Sequence, residues 1–124
     1  MSKKILIIDI ETTGFLKSGG KIVEIGVVEL DLNTGEKCII FDQVMHESGM
    51  ELNKVQDSWI VNNSSMTVEE IRGSKHLDSY RSELQIMFNS YELGSTAYNN
   101  VFDFGFLVDS KTSFLPTTAT LFSA

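Results

Sequence analysis

The chain has 124 residues, of which 42% are apolar, 22% charged and 10% aromatic. That composition fits one globular domain and excludes wholesale disorder. No apolar run is long enough to cross a membrane, and the run Ile5 to Ile8 is too short for a signal peptide, so neither membrane association nor a targeting segment is expected. The only cysteine, Cys38, excludes an internal disulfide and a cysteine-based zinc site. It makes a reducing, cytoplasmic location the default. A net charge of −7 argues against a basic nucleic-acid-binding surface but leaves room for contacts that bound cations mediate.

Residues 3–11 form a nearly continuous apolar run and read as a central strand covered on both faces. Thr12 to Gly14 end it, and residues 15–20 read as a loop. Residues 21–30 are rich in Val and Ile and predict a second strand. A short turn at 31–35 joins it to a third strand at 36–44, which makes the two an antiparallel hairpin. Residues 45–63 show no strand period, and Trp59 is expected in or over the core, with direct base stacking as its second reading. Thr67 followed by Glu70 has the spacing of a capping box and predicts a short helix. A longer helix is predicted over residues 75–91, with Leu77, Tyr80, Leu84, Met87, Phe88 and Tyr91 at three- and four-residue spacing. Gly94 stops it. Residues 95–98 suggest a strand and 101–108 a helix. Residues 109–124 are rich in Ser and Thr and show no period, and they read as a tail that is non-native or disordered. The whole predicts an α/β chain: a mixed sheet with helices packed on it.

Two groups of carboxylates stand out. Asp9 and Glu11 lie on one face of the first strand, about 7 Å apart, at the end of an apolar row that includes Ile5 and Ile7. Burying two acids there is costly unless a divalent cation compensates them, and hard oxygen ligands suit Mg²⁺ or Mn²⁺. The alternative is a strand that has reached solvent. Asp103 lies among apolar residues, as an N-cap of an amphipathic helix or as part of a site. Asn99 has a second reading as a turn residue.

Together, Asp9-Ile-Glu-Thr-Thr-Gly14 and Asn99-Asn-Val-Phe-Asp-Phe-Gly-Phe-Leu107 resemble the first and second motifs of the DEDD-family 3′-5′ exonucleases. The nearest group is that of the proofreading (epsilon) subunit of bacterial DNA polymerase III and ribonuclease T. The resemblance covers residues 3–108, a partial exonuclease domain. It implies a ribonuclease H-like mixed sheet in which Asp9, Glu11 and Asp103 hold two divalent cations at the terminal phosphodiester. The substrate it implies is the 3′ end of single-stranded DNA or RNA, and the product a 5′-nucleotide. Thr12, Thr13 and Gly14 would lie against the terminal nucleotide and Phe15 beside its base, with Asn99 and Phe102 shaping the pocket. A polymerase partner is among those the resemblance allows.

The third motif of that family, a general base and a fourth metal-binding Asp, is absent: residues 110–124 contain no Asp, Glu or His. The C-terminal part of the fold is therefore expected to be missing. Three explanations stay open: a truncated chain, a degenerate fold kept for nucleic-acid binding or assembly, or a site that a partner completes. His46, read as a loop residue, and His76, read as an exposed helix-start residue, do not stand in the base position. Lys17 and Lys21 read as solvated lysines that could meet phosphates, Glu24 as structural and Cys38 as buried. Phe102, Phe104, Phe106, Leu107, Phe114, Leu115, Leu121 and Phe122 crowd the last quarter, so a homodimer or larger oligomer is expected through exposed apolar surface.

Overall fold

The apolar run near the start of the chain forms β1 (Lys4–Thr12), the strand on which the sheet is built. It pairs antiparallel with β2 (Ile22–Asp31), which pairs antiparallel with β3 (Lys37–His46). The turn between β2 and β3 is held by Asp31, whose carboxylate accepts the N–H groups of Asn33 and Thr34 at 2.8 and 3.2 Å. A short β4 (Lys75–His76) runs parallel to the end of β3. On the other side of β1, β5 (Ser95–Ala97) is parallel to it, and β6 (Thr118–Ser123) is parallel to β5. The strand order is β4-β3-β2-β1-β5-β6. This computed structural model describes residues 3–97, 100–109 and 118–123.

Among the described residues, five α-helices accompany the sheet: α1 (Leu52–Gln56), α2 (Trp59–Asn63), α3 (Val68–Arg72), α4 (Arg81–Asn89) and α5 (Asn100–Val108). Leu6, Ile8 and Ile10 of β1 point to one face and join Ile25, Val27, Leu84, Phe88, Phe106 and Leu107 in the main core. The opposite face carries Asp9 and Glu11. Directly paired residues share a face, so the rows Asp9–Gly26–Asp42 and Glu11–Glu24–Val44 cross it. Between Glu11 and Thr12 the register shifts, making Val23 the additional residue of β2. Val23 packs with Val55, Ile60, Met66 and Ile71 in a second cluster, against which Val44 also lies. Helices α1 to α3 therefore sit on the carboxylate face, at its β2–β3 end.

Several expectations change. The helix predicted over 75–91 begins only at Arg81. Lys75 and His76 are drawn into β4, and the His76 side chain caps a 3-10 turn (Leu77–Tyr80) by accepting the Asp78 N–H at 3.0 Å. The apolar spacing survives this because Leu77, Leu84 and Phe88 still reach one core. The capping box holds: Thr67 Oγ1 accepts the Glu70 N–H at 3.1 Å. Cys38 is exposed, not buried, on β3 beside Ile39, which is 70% exposed. Phe106 and Leu107 belong to the core and so do not contribute to the exposed C-terminal apolar surface expected above, whereas Val108 is exposed. Within the tail, residues 118–123 add β6 to the sheet.

The packing predicts a contrast on a single helix. Leu84→Ala should cost about 2–5 kcal/mol, since Leu84 is fully buried. Ile86→Ala, at an exposed position two residues on, should stay within about 0.5 kcal/mol. Urea denaturation of the two variants measures both.

Candidate active site

The backbone of β1 places the site. Leu6 donates its N–H to Gly94 O at 3.2 Å, so alternate N–H groups of β1 face β5. Farther along the same strand, the Ile10 N–H is donated to the carboxylate of Asp103, in the first turn of α5. Asp103 is 3% exposed. It is not an N-cap; the helix carries it inward against the end of the strand.

Asp9 is exposed and Glu11 half-buried on the neighbouring stretch of β1. Burial raises the Asp103 pKa to about 7, the charges of Asp9 and Glu11 add to the rise, and the Ile10 N–H opposes it. Burial also raises Asp9, and Glu11 is raised by burial and by Asp9. Three carboxylates thus share one electrostatic environment. Glu24, read as structural, stands directly across from Glu11. Its pKa is raised by burial first, then by Asp42, Glu11, Asp9 and Glu70. Like charges directly opposite on a sheet repel, and no ion pair among the described residues relieves these.

The loop after β1 is closed by its own backbone. Thr13 donates its N–H to Lys21 O at 2.9 Å, and its hydroxyl accepts the Lys21 N–H at 2.9 Å. Thr12 Oγ1 donates to Gly14 O at 2.8 Å. Gly20 approaches so closely that a Cβ there would lie 2.2 Å from Gly14 O, which only glycine avoids. The closed loop presents Phe15, 71% exposed, with its ring edge-on to Phe102 at 6.2 Å. Phe102 in turn leans on Phe106. Trp59, expected as core or cover, is 70% exposed at the start of α2. With Phe15 and Phe102 it walls a cavity of about 410 Å³ that Glu11, Thr12, Thr13 and Gly14 also line. Its exposure could not be read from the chain, because Ile60, next to it, is the residue that enters the core.

Asn99 lies outside the described residues. Lys17 is exposed, and Lys21 is tied to Thr13 through its backbone. His46 ends β3, where a loop was expected, and His76 sits in β4; their rings meet edge-on at 5.2 Å. Both lie at the β3–β4 side of the sheet, with β2 between them and β1. Nδ1 of His76 accepts the Asp78 N–H, so its Nε2 donates to Ser48 Oγ at 2.9 Å in that tautomer. Neither ring serves the carboxylates.

As ligands, Asp9, Glu11 and Asp103 are hard oxygen donors of the kind Mg²⁺ and Mn²⁺ take. Neither Asp9 nor Glu11 has an ion-pair partner among the described residues. No three acidic, His or Cys side chains form a ready cation cage among those residues. The donor set fits a divalent cation in type and charge, and its closure would draw the three carboxylates together.

No protein-family profile matches the chain, and no curated protein matches it. Solved structures do. A full-length 3′-exonuclease superimposes with a TM-score of 0.58 at 17% identity, over 77% of this chain and 33% of that one. A 3′-exonuclease in 3′-end-specific recognition of a histone mRNA stem-loop gives 0.58 at 17%, over 77% and 45%. An ExoI/SSB-Ct complex gives 0.60 at 17%, over 86% and 23%. The fold is the α/β, ribonuclease H-like fold of 3′-exonucleases, and the chain spans less than half the length of each of these proteins.

The raised carboxyls have a consequence for stability. A carboxyl whose pKa is higher folded than unfolded binds more protons in the folded state between the two values, so stability falls as pH rises through that window. For Asp103 the window runs from 3.8 to about 7. In a chelator, Tm should fall between pH 4 and pH 7, and Asp103→Asn should flatten that fall. Thermal melts at half-unit pH steps measure the slope.

Proposed function

We propose that the chain is the core of a divalent-metal-dependent 3′-5′ exonuclease of the DEDD type, similar to the proofreading epsilon subunit and ribonuclease T. It would remove nucleotides from the 3′ end of single-stranded DNA or RNA. The observation that carries this reading is the buried Asp103 set against Ile10 N–H beside Asp9 and Glu11, with an aromatic cavity adjoining Glu11. The exonuclease fold of the structural neighbours supports it. So does the binding of one of them to an mRNA stem-loop.

In this reading Asp9, Glu11 and Asp103 hold two divalent cations, which supply charge neutralisation at the phosphodiester and an activated water. Phe15, Trp59 and Phe102 stack on the terminal base, and stacking tolerates any base. Thr12, Thr13 and Gly14 line the cavity floor with hydroxyl and backbone groups that orient the terminal sugar. Asp103 must give up its proton before it can act as a ligand, so site assembly strengthens as pH rises past 7. Self-association through C-terminal apolar surface, of which exposed Val108 is part, belongs to the same reading. A reducing, cytoplasmic setting and a polymerase partner complete the reading.

A second reading is a nucleic-acid-binding or assembly module without catalysis. The position of His46 and His76, away from β1, favours it because it leaves the acids without a general base among the described residues.

One assay separates the two. A 3′-labelled single strand is incubated with the protein and Mn²⁺. Nucleotide release that falls at least about 100-fold in Asp9→Ala supports the enzyme. In the same assay Trp59→Ala should raise KM roughly 5- to 150-fold, from a stacking loss of ~1–3 kcal/mol. Equal or zero release from the protein and Asp9→Ala supports the module.

A further inference from the structure

A second concavity, of about 450 Å³, lies between α1, α2 and α3 and takes no part in the site described above. The short helix α2 joins the two. Trp59, its first residue, walls the aromatic cavity, and Asn62, one turn on, lines the second groove. Val61 and Met66 contribute apolar wall. The remaining lining is rich in donors. Asn53, Gln56, Ser65 and Arg72 all face the groove, and none of their side chains has a hydrogen-bond or ion-pair partner among the described residues. Glu69 is the acid among the lining residues. Asn62 is already engaged: its Nδ2 donates to Gln56 O at 3.3 Å and Ser58 O at 3.0 Å, which ties α2 to the end of α1 and fixes the groove's shape.

Neutral amides and hydroxyls with one guanidinium are what a sugar–phosphate backbone takes without regard to sequence. A protein of net charge −7 has little general attraction for a polyanion, so an ordered set of donors must hold one. We infer that this groove carries the upstream nucleotides of a single strand whose 3′-terminal base is stacked between Phe15 and Trp59. The inference rests on the exonuclease reading and adds to it the path of the strand: out of the aromatic cavity, along α2, toward Arg72 at the end of α3. Because one cation is involved, the salt dependence contributed by the groove is shallow, with a slope near −0.7 on a log–log scale.

Fluorescence anisotropy of 5′-labelled single strands of two and eight nucleotides, with phosphorothioate linkages that resist cleavage and with Mn²⁺ present, tests this on the full chain. The eight-nucleotide strand should bind at least tenfold more tightly than the two-nucleotide strand. The double variant Gln56→Glu with Arg72→Glu should remove that gain and leave the shorter strand's affinity unchanged, with the same circular dichroism spectrum. Tight binding of two nucleotides with no gain for eight overturns the groove and leaves the exonuclease reading standing. A length gain that the double variant does not touch also overturns it, and assigns the groove to another partner such as a protein. Binding of neither strand overturns the exonuclease reading, and this inference with it.

Discussion

The hydrogen bond from Ile10 N–H to the Asp103 carboxylate ties the candidate site to the fold. A buried strand N–H is costly to leave unpaired, and the helix that follows β5 supplies Ile10 with an acid as acceptor. One contact thereby ties α5 to β1 and brings a carboxylate to Asp9 and Glu11. Phe102, adjacent to Asp103, is set against Phe15 by the same placement. The acid that satisfies the backbone is also one whose pKa burial raises strongly, and the Ile10 N–H offsets only part of that rise.

The molecule's acidity acquires a local meaning from this arrangement. Asp9, Glu11, Glu24 and Asp42 occupy two adjacent rows on one sheet face, and the main core occupies the other. A sheet face that concentrates carboxylates is held against its own repulsion by the apolar face behind it. The same concentration is a liability without a cation and a binding site with one. The aromatic cavity beside Glu11 adds apolar surface on which a base can stack.

The strands and the acids were legible in the chain because their signals are local. The run 4–12, the Val/Ile-rich second strand, the Asp31–Gly35 turn and the Thr67 cap all depend on residues within a few positions of one another. The features that were missed depend on distant partners. Lys75 and His76 leave the predicted helix because Met45 and His46 offer them a strand to pair with. Trp59 is exposed because α2 is anchored through Ile60. Cys38 is exposed because neither apolar cluster includes its end of β3, where Ile39 is exposed too. The role of Asp103 as acceptor for Ile10 is a long-range contact between α5 and β1, which no local spacing in the sequence encodes.

Paramagnetic broadening by Mn²⁺ in an amide-resolved NMR spectrum tests the central claim most directly, since it locates a cation without relying on turnover. The account predicts that sub-stoichiometric Mn²⁺ broadens the amides of Asp9 to Thr12 and of residues 101–105 first, and that Asp103→Asn weakens the effect at both segments together. Broadening centred on Asp42 and Glu70, or spread evenly over all acidic residues, would contradict it.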